Sequence, residues 1–586
     1  MANIYDKASL VMIPSGTKAS KIFSQKPVNG DGDFTFSRST AATRVNASGN
    51  IEKETQNLFT YSNNLSNPIW QLGVITATGG QSGYDSSSDA WLITKDANAY
   101  RAIEHDVNNS GVYTYSVYAK ANTLDKIYLR NQTLGQGAYF DLTNGTTYGN
   151  SGLFSSIVSV GGGWYRCSVT FNGTSIRLAI YIDFDVATAG SVYVQDFQVE
   201  KGLVARDYIE TTTAAVEGGI TDNVPRLDYT DSSCPALLLE PLRTNYYTQS
   251  EYVQTGTRVT LANNATTSPE GVDNAASVIA TSVSGSHEVL TGQITISGAG
   301  VITFSTFAKY NGNHLVLTKA YNSSNWTGCV FDLQNGVAKT PQNNGISDVC
   351  TADVEDYGNG WYRCSITFTP FASANQYIIS LTDNVNATLG TWGADTYMGD
   401  DVSGIYLYGS QVEAGSYATS YIPTYGTSVT RNQDTYKKLG FGNTSTEGTF
   451  YAEFEVKKME SANGQYMYGL SVGTTDLGNF FATASGALSI ITNGANIQGF
   501  NNGYADSLFS YTPSIGDTAK IAIRYDGSNV VAFVNGVKQT TKTDNASGVK
   551  NSIRVNHGEK SSHATKQLLF IPTALTDQEA IDLTTI

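Results

Sequence analysis

The 586-residue chain is short of charge: Asp, Glu, Lys and Arg make up 15% of it, against about a quarter in an ordinary globular protein. Basic residues are the scarcer sign, 36 Lys and Arg against 51 Asp and Glu, a formal net charge of −15. Proteins that grip a nucleic-acid backbone need clustered Lys and Arg, so that partner is excluded. Cysteine is also scarce. There are five, an odd number with no CxxC or Cys/His spacing, which gives no zinc module and no disulfide framework. Reduced thiols and assembly in a cytosol fit that usage. The five histidines, His105, His287, His314, His557 and His563, fall in no nucleophile or metal motif, and the last two read as solvated in a polar loop. Long apolar runs are absent, so no segment is expected to span a bilayer. The start, Met1 to Gly16, has one short apolar run after mixed charges, which is not the pattern of a secretory signal.

What is present is glycine (57), tyrosine (36) and abundant Ser, Thr and Asn. These residues favour turns and strand faces over helix interiors, so the chain reads as all-β. Its length exceeds one core and implies three or four domains.

One stretch is written twice. Asn57-Leu-Phe-Thr-Tyr-Ser62 matches Asn245-Tyr-Tyr-Thr-Gln-Ser250, and Tyr115-Ser-Val-Tyr-Ala-Lys120 matches Phe304-Ser-Thr-Phe-Ala-Lys309. Phe140-Asp-Leu-Thr-Asn-Gly145 and Phe331-Asp-Leu-Gln-Asn-Gly336 follow, then Gly163-Trp-Tyr-Arg-Cys167 and Gly360-Trp-Tyr-Arg-Cys364, then Gln198-Val-Glu200 and Gln411-Val-Glu413. Five matches in one order define two copies of a module, and the growing offset places insertions in the second copy's loops. Within a copy, short strands alternate with turn signals such as Asn144-Gly145, a type I′ hairpin pattern that indicates a sandwich or jelly roll. Further on, Asp526-Gly527 and Asn535-Gly536 separate strands of an antiparallel meander, and Thr576-Asp-Gln-Glu579 is a capping box opening a helix.

The segments around the copies carry a resemblance. Asp33-Phe-Thr-Phe-Ser-Arg38, Ala42-Thr-Arg-Val-Asn-Ala-Ser-Gly49, Pro225-Arg-Leu-Asp-Tyr-Thr230, Ala236-Leu-Leu-Leu-Glu-Pro-Leu-Arg-Thr-Asn245, Thr419-Ser-Tyr-Ile-Pro423 and Gly360-Trp-Tyr-Arg363 look like those of virion proteins of tailed bacteriophages. In that family they join jelly-roll modules similar to carbohydrate-binding modules, and the C-terminal meander resembles a concanavalin A-like or laminin-G-like lectin domain. The resemblance implies an attachment segment over 1–56, jelly rolls over 57–215 and 245–425, extended connectors over 216–244 and 426–439, and the lectin-like sandwich over 440–586. It implies a structural head fibre or decoration protein, assembled in the host cytoplasm and displayed on the virion surface as a homo-oligomer, with a trimer favoured. Other virion proteins would hold it through the N-terminal segment, and glycans of host surface or mucus would be its ligands. A receptor-binding tail fibre and a capsular polysaccharide depolymerase are the alternatives, the latter weaker because no acid–base or nucleophile constellation is visible.

Aromatic side chains with polar surroundings are the natural sugar platform. Trp164 and Trp361 lie in the repeated strand and read as core, as does Trp91. Trp70, Trp326 and Trp392 sit in Asn-, Ser- and Gly-rich surroundings and are the exposed candidates for ligand contact. Jelly rolls of the resembled kind hold a structural calcium, which points to the acidic pairs Asp183/Asp185 and Asp400/Asp401 as oxygen ligands, against a reading as solvated loop carboxylates.

Overall fold

The computed structural model describes residues 4–586 except 297–299, 346–349, 370–374, 460–465, 474–486, 494, 503–505, 547, 558–560 and 586. It is an all-β protein of three sandwiches. In the first module, a five-stranded sheet runs in the order Ala102–Asn109, Ser175–Ile182, Lys126–Asn131, Gln136–Asp141, Thr146–Tyr148. It faces a six-stranded sheet in the order Phe154–Gly161, Trp164–Asn172, Val112–Ala121, Gly190–Lys201, Ala90–Lys95, Thr76–Gln81. Every neighbouring pair is antiparallel. The second module repeats the plan around its own core of Phe304, Leu315, Leu317, Phe331, Ile366 and Leu407.

Val112–Ala121 is buried at eight successive positions, as a strand covered on both sides must be. Trp164 and Trp361 are 3% and 2% exposed and take the same register, opposite Lys120 and Lys309. The turn at Asn144-Gly145 departs from the type I′ expectation. Only Gly145 has positive φ, because the Asp141 carboxylate takes the Thr143 and Asn144 N–H groups and closes a longer loop. Asn535-Gly536, with both residues at positive φ, is the tight hairpin.

The residues written twice turn out to be a polar clasp. Asn57 Nδ2 donates to the carbonyls of Phe197 and Ile209, and Asn245 Nδ2 to those of Ser410 and Ile422. Gln198 and Gln411 each donate to a neighbouring carboxylate, Glu200 or Glu413, at 2.7 and 2.6 Å. Those carboxylates accept the N–H of Arg206 and Thr419, both at 2.9 Å. Ser62 meets Tyr208, and Ser250 meets Tyr421, at 2.6 Å. Each clasp satisfies buried amides of the segment leaving its module, which would otherwise be stranded away from water.

The third sandwich departs most from expectation. Its first sheet includes Ser561–Ile571, Gly448–Met459, Thr518–Tyr525 and Asn529–Val534. Leu10–Met12 and Ala236–Leu239 both pair along Ser561–Ile571, end to end. In the second sheet Phe34–Ser37 and Thr435–Leu439 precede Ser552–His557. The 440–586 boundary therefore does not enclose a sandwich. The leader, residues 1–56, which has too few apolar residues for a core of its own, finds its partner surface inside the chain: Leu10, Met12, Ile22, Phe34 and Phe36 are 0–1% exposed among Phe450, Phe454, Ile521 and Leu568. The helix Asp577–Thr584 has the expected capping box and lies outside this sandwich with the short helix Ile4–Lys7. His563 is buried in a strand against Phe454 rather than solvated; the side chain of His557 lies outside the described residues.

Two buried charge clusters join these parts. Arg38 meets Asp434 at 3.0 Å; Arg226 meets Asp434 and, at 2.6 Å, Glu240; Arg431 meets Glu240 at 2.7 Å. These five side chains, from the leader and both connectors, are at most 5% exposed. Burial alone would raise the Glu240 carboxyl, but Arg431 and Arg226 outweigh it and hold the group below the ordinary carboxylate range. In the second cluster Lys53 lies 2.6 Å from both Glu251 and Glu270, and Arg206 of the first module also binds Glu270.

Three outcomes follow from this architecture. The isolated 440–586 segment is expected to show no cooperative thermal unfolding, because it lacks the edge strands from 10–12 and 236–239; a sharp transition would refute the composite sandwich. Glu240→Gln takes from Arg431 its carboxylate partner, leaves Arg226 with Asp434 alone and is expected to cost about 3–5 kcal/mol in denaturant unfolding, as for other broken buried pairs; a loss below about 1 kcal/mol would contradict the cluster's role. Asp196 is buried at φ 56 where the second copy has Gly409 at φ 61. Burial, with help from Asp89 and Asp85, pushes its carboxyl up to about 7 against a bond from Tyr84. The folded state thus keeps a proton the unfolded chain releases, so stability falls as pH rises from about 4 to 7. Asp196→Gly is expected to flatten that decline in melting temperature, and an unchanged slope would rule it out.

Candidate functional site

The outer face of the first module's five-stranded sheet carries a row of tyrosines. Tyr181 lies opposite Tyr128, Tyr128 opposite Tyr139, and Tyr139 opposite Tyr148. Their neighbours Ile127, Leu129, Ala138, Phe140, Ile180 and Ile182 point into the core, and strand alternation turns the tyrosines outward. Tyr128 and Tyr139 stack at 4.2 Å and 18°, and Tyr139 and Tyr148 at 5.1 Å and 14°. The middle rings therefore spend their faces on one another and present edges and hydroxyls. Phe184, from the loop after Ser175–Ile182, stands 4.9 Å from Tyr128 and 4.8 Å from Tyr181, with Tyr100 edge-on to it at 4.9 Å. Free ring surface is found at the ends: Tyr148 is 45% exposed and Tyr100 64%.

Polar groups frame the row. Gln132 Nε2 donates to Glu104 at 2.8 Å and to the Tyr181 hydroxyl at 2.5 Å. The Tyr139 hydroxyl donates to Asp185 at 3.4 Å. The Arg130 guanidinium lies 5.9 Å from the Phe184 centroid, and its Nε is buried with no partner. Burial, aided by Asp185, pushes the Tyr139 phenol up to about 12, and burial also raises Tyr128 and Tyr148. The phenols stay neutral near pH 7 and can both donate and accept. Asp106 is held low, first by its bond from Arg177, so it is no proton donor there. The face suits a neutral ligand rich in hydroxyls and C–H surface.

The sequence pointed elsewhere. Trp70 is 3% exposed, donates to the Tyr61 carbonyl at 2.9 Å and packs on Phe59, His105 and Phe197 in the core. It offers no face to a ligand, because its polar neighbours in sequence form a turn that folds over it. Trp326 is also 3% exposed, and Trp392 is half-buried against it. These two do come together, on the second module. Asp183 and Asp185 share one loop, but its carbonyls at Asp183 and Val186 accept from Lys95 Nζ at 3.1 and 2.5 Å, so a cation of the chain already sits there. Asp400 closes a turn by accepting Val402 N–H at 2.9 Å, and Asp401 accepts Ser282 N–H at 3.0 Å. Among the described residues no three His, Cys, Asp or Glu side chains gather as a metal group.

Pairing places Val316, Val330 and Ser380 of the second module where the first has Tyr128, Tyr139 and Tyr181. That equivalent face is covered by the segment 383–395. The offset between copies rises across it from 199 (Ile182 to Leu381) to 213 (Gln198 to Gln411), so the segment is where the second copy is longer. The row was missed in the sequence because its four tyrosines lie on four strands and meet only through register.

No family model matches the chain, and no curated protein matches it. Among solved structures it is similar to the N-terminal CBM22-1–CBM22-2 tandem of Paenibacillus barcinonensis Xyn10C, at 12% identity over 61% of this chain and 96% of that one, with a TM-score of 0.20. It is similar to the LG1–3 region of the laminin α2 chain, at 11% identity over 81% and 96%, with a TM-score of 0.14. It is also similar to LG4–5 of the mouse laminin α1 chain, at 12% identity over 48% and 87%, with a TM-score of 0.13. At such scores these likenesses carry no argument about function.

Proposed function

We propose that the chain is a glycan-adhesion protein, and that the open tyrosine face of its first module is the contact. The observation that carries the reading is the aromatic row with neutral hydroxyl edges, two exposed terminal rings and an unpartnered Arg130 Nε. A sugar ring stacked on Tyr148 or Tyr100 would bury one C–H face, while the edges of Tyr128 and Tyr139 would meet its hydroxyls. Such a shallow face buries little area, so single-site affinity is expected to be weak. Many copies on one particle would turn weak contacts into firm adhesion.

The setting we propose is the surface of a tailed-phage virion, as a head fibre or decoration protein, in homo-oligomeric form. Support comes from the resembling segments, three of which supply Arg38, Arg226 and Glu240 to the first buried cluster. Attachment to other virion proteins would use surface that the leader leaves open, such as Ile13, Phe23 and Val28, which are 37%, 37% and 92% exposed. A polysaccharide depolymerase is separated from this reading by the assay below, and a receptor-binding tail fibre by where the chain sits in micrographs of the intact virion.

Tyr100→Ala with Tyr148→Ala is expected to lower retention of the full chain on a clustered glycan array about tenfold, the loss expected for stacking contacts worth about 1.4 kcal/mol together. Unchanged retention would remove the face from the reading. No reducing ends are expected from host polysaccharide, and release proportional to protein concentration would favour the depolymerase.

A further inference from the structure

The roof over the second module's sheet covers an aromatic side chain that lacks a polar partner. Trp326 lies on the outer face with Val316, Ala320, Val330 and Ile378, and Ala387, Leu389 and Trp392 of the 383–395 segment pack on that cluster. It is 3% exposed, yet its indole N–H is buried without an acceptor. A buried indole N–H ordinarily finds one.

Few bonds hold the roof to the strands beneath it: the Trp392 N–H donates to the Ser323 carbonyl at 3.3 Å, and Thr382 Oγ1 donates to the Asp395 carboxylate at 2.5 Å at its base. The Gln342 side chain donates to the Ala387 carbonyl at 2.8 Å and accepts the Leu389 N–H at 3.0 Å. Thr318 Oγ1 donates to the Gly393 carbonyl at 3.0 Å. Trp392 sits at φ 62, left-handed backbone that a bulky side chain disfavours. Gly393 presses on the platform, since a Cβ there would fall 2.9 Å from Trp326 Cε3 and 2.5 Å from Thr318 Cγ2.

We propose that segment 383–395 is a lid over a second, latent sugar-binding face, with Trp326 as its platform. When the lid is displaced, the indole is uncovered and Thr318 Oγ1 loses its carbonyl partner. A neutral pyranose ring would then stack on the indole while one of its hydroxyls accepts the Trp326 N–H. Val316 and Ile378 beside it supply apolar floor and no charge, so the ligand class is an uncharged glycan. The proposal goes beyond the open face of the first module and shares with it only the class of ligand.

The test uses the full chain labelled with 5-fluorotryptophan, with the Trp326 resonance assigned through Trp326→Phe. Two variants loosen the lid by different routes. Gln342→Ala removes its two side-chain bonds, and Gly393→Val adds bulk against the platform. The resonances of the other tryptophans away from the lid report that the fold is kept. The Trp326 resonance is expected to gain a solvent isotope shift in either variant and to move on titration with cellohexaose or xylohexaose. Retention on a clustered glycan array should rise at least tenfold and vanish again with added Trp326→Phe. A resonance that stays protected in both variants would make the segment a fixed part of the core and overturn the lid. An exposed resonance with no shift and no gain on any array glycan would overturn the sugar face. The Trp326 resonance does not depend on Tyr100 or Tyr148, and the gain in array retention is read in chains that also carry Tyr100→Ala and Tyr148→Ala, so failure of the first module's site would appear separately.

Discussion

Five buried charged side chains decide how this chain is held together. Arg38, Arg226 and Arg431 face Glu240 and Asp434 at a point where the leader and both connectors converge. Net worth is not the measure of such a cluster, since removing charges from water offsets most of what their attraction returns. Its effect is conditional: any one member left alone is an uncompensated buried charge, so the three segments stay together or the fold is lost. The second cluster, around Lys53 and Glu270, applies the same condition where the two modules meet. The connectors, extended in the sequence reading, are thereby pinned to the leader and to each other.

The two copies share a scaffold and differ in their outer surfaces. Asn57 and Asn245, Gln198 and Gln411, and Ser62 and Ser250 make matching bonds and keep each departing segment against its sheet. The outer faces share none of this: tyrosines line one, and aliphatic residues under a roof line the other. What was repeated is scaffold, and what diverged is where the surfaces differ in chemistry.

This division explains what the sequence disclosed. The all-β class, the paired modules and the burial of Trp164 and Trp361 were legible because each rests on a local pattern or on the comparison of two copies. The tyrosine row was not, because Tyr128, Tyr139, Tyr148 and Tyr181 become neighbours only through strand register. Trp70 misled because polarity of flanking residues reports the chain around a side chain, not the side chain itself. The leader misled differently. Its few apolar residues correctly signalled the need for a partner surface, but nothing local says that the surface lies four hundred to five hundred and sixty residues away in the same chain.

That distance has a kinetic consequence. Leu10 pairs with Phe570, which the ribosome adds 560 residues later. At about 5–20 residues per second, the leader waits roughly half a minute to two minutes for its partner strand. Both inner modules can finish folding in that interval, while Leu10, Met12, Phe34 and Phe36 remain without a home. The last strand then has to insert between Gly448–Met459 on one edge and, on the other, Leu10–Met12 and Ala236–Leu239 laid end to end. Closure of the third sandwich therefore follows that of both modules, and a chain that stops before Ser561 would carry two finished modules and a third that cannot close.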